Sequence, residues 1–298
     1  METGAPAVGA AADFGTAGSV FTRAWTAFEV TTAPAPAVAV VRLLGPGRGN
    51  MMGLAFWVEL PQVFAALDAD ESVRAVIMTG SGAHFSTGLD VQEVLGGWLG
   101  RLSAGATAQA TQRTELLGMI RTLQDGVTAV ASCRKPVIAA ISGWCIGGGV
   151  DLISAADIRL ASAEAKFSIR EARLAIVADV GSLQRLRGIV GEGHLRELAF
   201  TAKDIAAERA ERIGLVNQSY ADPESLMSAA LAMAAEIAAN SPLAVAGTKA
   251  VLNEGREETI ARGLRHVALW NSSFLHSEDL LEAVAAMGER RQGVFHGK

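Results

Sequence analysis

Pro136-Val-Ile-Ala-Ala-Ile141 leads through Ser142 into Gly143-Trp-Cys-Ile-Gly-Gly-Gly-Val-Asp151, and this passage decides the fold. A continuous apolar run of that length reads as a strand buried on both faces. The glycines that follow let another group approach the backbone closely, and a helix opens from them. The same arrangement occurs earlier. Arg74-Ala-Val-Ile-Met-Thr79 is a near-continuous apolar strand, closed by Gly80-Ser81-Gly82 and followed by His84-Phe-Ser-Thr-Gly-Leu-Asp90. Outward from these two, Val38-Ala-Val-Val-Arg-Leu-Leu44, Asp157-Ile-Arg-Leu-Ala161 and Leu215-Val-Asn-Gln-Ser219 read as further strands. Residues 51–67 are expected to be helical with an interruption near Pro61, and Gln109 to Ser132 are expected to be helical throughout. Strands without alternation, separated by helices, predict a mainly parallel, layered α/β core. Beyond about residue 221 the pattern is helical only, over 223–240, 242–254 and 257–291. That tail is expected to pack on the sheet or on a neighbouring subunit.

Composition narrows the function. The 298 residues are 50% hydrophobic and 19% charged, which excludes a disordered chain. A net charge of -5 argues against a broad cationic face for nucleic acid, although local basic patches for a phosphorylated ligand stay open. Two cysteines, Cys133 and Cys145, exclude a disulfide framework, and no Cys/His set has zinc-ligand spacing. No stretch approaches the ~20 apolar residues of a spanning helix. Residues 1 to 25 are rich in Ala, Gly, Thr and Pro and are expected to form a flexible arm. They lack the basic start of a signal peptide, and the final Phe295-His-Gly-Lys298 is no peroxisomal address, so a cytoplasmic location is expected.

Common catalytic signatures are missing: there is no Walker loop, no G-x-G-x-x-G after a strand, no G-x-S-x-G elbow and no H-E-x-x-H. The five histidines (84, 194, 266, 276 and 296) are scattered and read as surface or packing residues. What remains are the two strand-to-helix junctions. Their free N–H groups and positive dipole ends favour a developing negative oxygen, and one donor from each would make an oxyanion hole. The same glycines would equally serve tight strand–helix packing. Three acids stand out: Asp151 between Val150 and Leu152, Glu171 within Phe167-Ser-Ile-Arg-Glu-Ala172, and Asp179 in the otherwise apolar Ala175-Ile-Val-Ala-Asp-Val180. Burial raises a carboxyl pKa into the range suited to reversible proton transfer. Each also has a structural reading. Asp151 would complement a helix dipole, Glu171 would pair with Arg170 or Arg173, and Asp179 would cap a helix starting near Gly181. Asp157 and Asp204 read as caps.

Taken together, Phe85-Ser-Thr-Gly-Leu-Asp90, Gly143-Trp-Cys-Ile-Gly-Gly-Gly149, Ala155-Ala-Asp-Ile-Arg159, Gln184-Arg-Leu186 and Ser241-Pro-Leu-Ala244 resemble the enoyl-CoA hydratase/isomerase (crotonase) superfamily. Within it, Cys145-Ile-Gly-Gly-Gly-Val-Asp-Leu152 and Ala178-Asp-Val-Gly-Ser-Leu-Gln-Arg-Leu186 are most similar to the Δ3,5-Δ2,4-dienoyl-CoA isomerases. Hydratases of the superfamily carry Gly where this chain has Asp179. One departure is Thr87, where the family more often has Ala before the glycine.

The resemblance implies an α/β fold: a crotonase-like ββα spiral core over 26–220 with a C-terminal helical trimerisation region over 221–298. It implies an isomerase of fatty acid β-oxidation that turns 3,5-dienoyl-CoA into 2,4-dienoyl-CoA. The thioester carbonyl would sit between the N–H groups of Leu89 and Gly148. Ser86, Thr87, Gly88, Leu89, Asp90 and Gly148 would bind substrate, and Asp151, Glu171 and Asp179 would carry the catalysis. No metal or separate cofactor is expected, since CoA arrives as part of the acyl-CoA substrate. The expected partners are that thioester and further copies of the chain, as a homotrimer or homohexamer, with no nucleic acid and no membrane. Two alternatives stay open. One is a 2-enoyl-CoA hydratase using Asp151 and Glu171, and the other is a non-catalytic relative that binds acyl-CoA or RNA.

Overall fold

The computed structural model describes residues 20–47, 49–96 and 108–298. In chain order the first elements are β1 (Phe28–Thr32), β2 (Val38–Leu43), α1 (Leu54–Ala69), β3 (Ala75–Gly80), α2 (Gln109–Ser132) and β4 (Val137–Ile141). They are followed by β5 (Trp144–Ile146), α3 (Gly148–Ala155), β6 (Ile158–Ser162), β7 (Lys166–Ser168) and a 3-10 turn, Glu171–Leu174. Next come α4 (Ser182–Arg185), α5 (Arg187–Val190), α6 (Glu192–Thr201), β8 (Ile205–Ala206), α7 (Ala207–Arg212) and β9 (Gln218–Tyr220). The chain then turns helical: α8 (Pro223–Ala239), α9 (Pro242–Asn253), α10 (Arg256–Phe274) and α11 (Glu278–Glu289).

The main sheet has the order β1-β2-β3-β4-β6-β9, antiparallel only between β1 and β2. Its unbroken apolar strands follow from burial on both faces. Ala39, Val41, Val76, Met78, Val137 and Ala139 point into the larger core with α1, α2 and α3. Their alternates, Val38, Val40, Ala75, Ile77, Ile138 and Ala140, are covered by α8. Leu226, Ala230, Ala234 and Ala238, spaced four apart, give α8 a flat stripe that lies close on the sheet. Asp222 starts that helix in a capping box with Ser225, and Pro223 follows it. A second sheet, β5-β7-β8, stands beside the first and carries the glycine passage at one end.

Several expectations shift in position. α1 runs unbroken through Pro61, because Leu60, Val63 and Phe64 on either side are anchored in the core. The last strand of the main sheet begins at Gln218, while Leu215 and Val216 are buried in the turn before it. Residues 1–19 of the expected arm lie outside the described residues. Val20 is buried, its carbonyl accepts from Trp25 Nε1, and Phe21 and Trp25 pack against the core, while Thr22, Arg23 and Ala24 are exposed. The helical tail divides its work: α8 covers the sheet, α10 lies along α2, and α11 meets the 3-10 turn. Leu116 and Ile120 of α2, Ala268 of α10 and Leu280 of α11 share one small core there. Among the described residues no single helix is long and apolar enough to cross a membrane.

Candidate active site

The two glycine-bearing junctions meet at the same end of the sheet. Residues 85–90 lie in extended pairing with β5 on one side and with Met52 on the other. Ser86 N–H donates to Trp144 O, Ile146 N–H to Ser86 O, Met52 N–H to Gly88 O and Asp90 N–H to Met52 O. Those bonds turn the Leu89 N–H away from Met52. Gly148 is the first residue of α3, and the carbonyl four residues back, on Trp144, is already taken by Ser86. Among the described residues neither N–H has an acceptor, so two orphan donors face a common space. They are close: a β-carbon on Gly88 would lie 3.4 Å from Gly148 N and 2.7 Å from Ile146 O. Gly88 also has φ +92, where a side chain costs roughly 1–2 kcal/mol before any clash. The glycines therefore serve both readings at once, close packing and two exposed donors.

Polar side chains beneath hold this geometry. Ser86 Oγ donates to Asn50 O at 2.8 Å and accepts from Gly88 N–H at 3.1 Å. Asn50, itself at φ 47, donates from its side-chain amide to Ser81 O, His84 O and Phe85 O. His84 accepts from Trp144 N–H and is a packing residue. Ser86 is wholly buried and does not line the cavity, whereas Thr87, Gly88, Leu89, Asp90 and Gly148 do.

That cavity has a volume of 550 Å³, and Asp151, Glu171 and Asp179 all reach it. The rest of its wall is largely apolar, with Trp57, Leu123, Ile146, Leu174, Ile176 and Met287. A larger hollow of 710 Å³ lies under α9, away from these acids, around the ion pair of buried Lys249 with the exposed Asp157. The largely apolar cavity that gathers three acids and two free N–H groups is the better candidate for chemistry.

The structural alternatives for the acids resolve residue by residue. Arg170 pairs with Asp204, not with Glu171. Glu171 Oε2 has no hydrogen-bond partner and is shut off from solvent. Burial, then the negative charge of Asp151, pushes the Glu171 carboxyl up to about 8. The cap of α4 near Gly181 is made by Asp151, whose Oδ1 accepts from Ser182 N–H at 2.5 Å. Burial raises the Asp151 pKa, and the bonds to Ser182 and the Arg185 guanidinium oppose the rise. Asp179, freed from capping, accepts at Oδ2 from the Asn271 amide at 2.6 Å. Burial carries its carboxyl up to about 7 against that hydrogen bond, and the charge of Asp151 adds to the rise. Asp157 accepts from Val137 N–H and pairs with Lys249, a structural role. Asn50, Gln124, Ser182 and Asn271 escaped the sequence reading, because each acts on a partner far along the chain.

The chemistry available here is polarisation of one oxygen by two main-chain donors and proton exchange by carboxyls poised near neutrality. Among the described residues no group of three or more His, Cys, Asp or Glu side chains is arranged to hold a metal ion.

Residues 34–298 match the family described as enoyl-CoA hydratase/isomerase. The chain is 43% identical over 250 residues to the Δ3,5-Δ2,4-dienoyl-CoA isomerase, peroxisomal, of Arabidopsis thaliana, covering 84% of this chain and 89% of that one. It is 44% identical over 260 residues to the mitochondrial protein of the same name from Dictyostelium discoideum, covering 87% of each. The human mitochondrial protein of that name is 39% identical over 253 residues, 85% of this chain and 76% of the relative. Among solved structures, an enoyl-CoA hydratase/isomerase from Mycobacterium paratuberculosis matches with a TM-score of 0.75 at 28% identity, covering 87% of this chain and 98% of that one. An enoyl-CoA hydratase from Mycobacterium avium subsp. paratuberculosis K-10 has a TM-score of 0.77 at 22% identity, covering 92% and 100%, and speaks for the fold alone. The fold is crotonase-like, as the motifs implied. The cytoplasmic expectation is overturned, because these relatives are named peroxisomal and mitochondrial. An address is read by a receptor and leaves no mark on the residues that build a site.

Proposed function

This chain belongs to the enoyl-CoA hydratase/isomerase family, and from that premise we propose that it is an enzyme of fatty acid metabolism that isomerises 3,5-dienoyl-CoA to 2,4-dienoyl-CoA. The observation that carries the reading is the third carboxyl in the cavity, Asp179, with its pKa raised to about 7. Relatives named for this activity, 43% and 44% identical, support it.

The geometry supports the following mechanism. The thioester carbonyl oxygen accepts from the N–H groups of Leu89 and Gly148. Both donors are fixed before the substrate arrives and lie where negative charge develops when the C2 proton leaves. One carboxylate takes that proton, the electron pair delocalises over the diene as a dienolate, and a carboxylic acid returns a proton to C6. The C2–H bond breaks, the C6–H bond forms, and the double bonds move from 3,5 to 2,4 with no change in oxidation state. Glu171 and Asp179 are the exchanging pair. Burial raises both carboxyls, to about 8 and about 7, so either can hold or release a proton near neutrality. Asp151 stays bonded to Ser182 and acts through its charge on both partners. Thr87, Gly88 and Asp90 line the thioester's approach, and Ser86 supports them from beneath. CoA enters as part of the substrate, and the steps need no separate cofactor. Leu243, Val251 and Leu252 on α9 and Phe274 on α10 expose more than half of their surface, which supports assembly as a homotrimer or homohexamer.

The test is turnover of a 3,5-dienoyl-CoA, read by the absorbance of the conjugated product, beside hydration of a 2-enoyl-CoA. Faster isomerisation than hydration is expected. Efficient hydration with no diene conversion would reassign the chain as a 2-enoyl-CoA hydratase using Asp151 and Glu171.

A further inference from the structure

We propose that Asn271 is a positioning residue for Asp179, holding one carboxyl oxygen so that the other carries the exchangeable proton. Asn271 sits on α10 and is 2% exposed. Its Nδ2 donates to Asp179 Oδ2 at 2.6 Å and to Val177 O at 2.8 Å. A main-chain carbonyl can only accept, so the bond to Val177 fixes which end of the amide faces Asp179. The NH2 group has no lone pair to offer. When Asp179 is protonated, the oxygen that accepts from Asn271 is the poorer site for the hydrogen, which is favoured on Oδ1. Gln124 of α2 holds the backbone of the same residue, donating from Nε2 to Asp179 O at 2.6 Å and to Leu264 O at 3.0 Å. Two amides from two packed helices thus fix the carboxyl, one through its main chain and one through its side chain. The charged groups around Asp179 are Asp151 on α3 and Glu171 on the 3-10 turn, with Arg185 of α4 beside Asp151. α2 and α10 bring it neutral amides.

The inference rests on the isomerase reading for its kinetic consequence but not for its structural one, and two readouts keep them apart. Asn271→Leu removes the donor while keeping a side chain branched at Cγ. A hydrogen bond to an ionised group is strong enough that its loss raises the carboxyl pKa by about 1–2 units. Whichever limb of the pH–kcat/KM profile Asp179 governs should move upward by that amount, with kcat falling more than KM changes. The carboxyl of Asp179, assigned by its disappearance in Asp179→Asn, should titrate upward by the same amount in carbon-13 NMR. Asn271→Ser, too short to reach Oδ2, should shift in the same direction. A uniform loss of kcat with unmoved limbs and an unmoved carboxyl titration overturns the proposal, as does failure of both variants to fold, which would make Asn271 purely structural. A parent that turns over no diene while the carboxyl titration still shifts would sink the isomerase reading alone.

Discussion

Asp179 is a half-buried acid in an apolar cavity whose ionised form is disfavoured, and that disfavour shows in both rate and stability. Asp179→Asn keeps the shape, and its amide oxygen still accepts from Asn271. Isomerisation should fall about 10²–10⁴-fold in a steady-state assay, whereas a mere helix cap would leave activity intact because Asn caps as well as Asp. Stability gives the second expectation. The folded-state carboxyl is raised from 3.8 to about 7, so its contribution to the folded state is present at low pH and is lost as pH rises through 7. The variant has nothing to ionise. Its melting temperature should exceed the parent's by more at pH 8 than at pH 5, with a gap of at least about 2 °C at the higher pH. Equal gaps at both pH values would show that the carboxyl pKa is not raised in the folded state. The sequence offered Asp179 as catalyst or cap, and spacing could not choose. Resolution came from Asp151, 31 residues before Ser182, which takes the cap for itself. Asn271, 92 residues from Asp179, left no local signal at all.

At the scale of elements, the strand–glycine–helix junctions were legible because each glycine answers a local need of the backbone. What they could not reveal was that Ser86 and Cys145 pair, bringing the junctions into register. Gly148 permits a clean test of the donor role. It is the first residue of α3, the position where a helix tolerates proline because that N–H has no partner within the helix. The nearest atom to an added β-carbon is Met52 Sδ at 3.0 Å, on a flexible side chain. Gly148→Pro should therefore keep its circular dichroism spectrum and lose about 10²–10³-fold in kcat. A folded proline variant with parental turnover would remove the Gly148 N–H from the mechanism. The misread interruption at Pro61 has the opposite cause: local propensity argued for a break, and tertiary packing of Leu60, Val63 and Phe64 prevailed.

Over the whole molecule, the apolar periodicity of the strands announced a covered sheet, but it could not say that α8 would cover one face alone or that α9 would present its apolar side outward. Val251 is 71% exposed and Leu252 72%. Sedimentation at micromolar concentration should show a trimer or hexamer, and Val251→Glu should yield a folded smaller species, since the side chain has little to lose within its own chain. A monomeric parent would contradict the assembly. The two orphan donors described above have a longer reach. They are main-chain amides, and nearly every codon change leaves a main-chain amide where it was. The three acids are side chains, and one nucleotide converts an aspartate codon to a glycine codon. On the proposed mechanism, descendants of such a gene can exchange one reaction for another while keeping their hold on thioesters, because the hold is inherited with the path of the backbone and the reaction with three replaceable side chains.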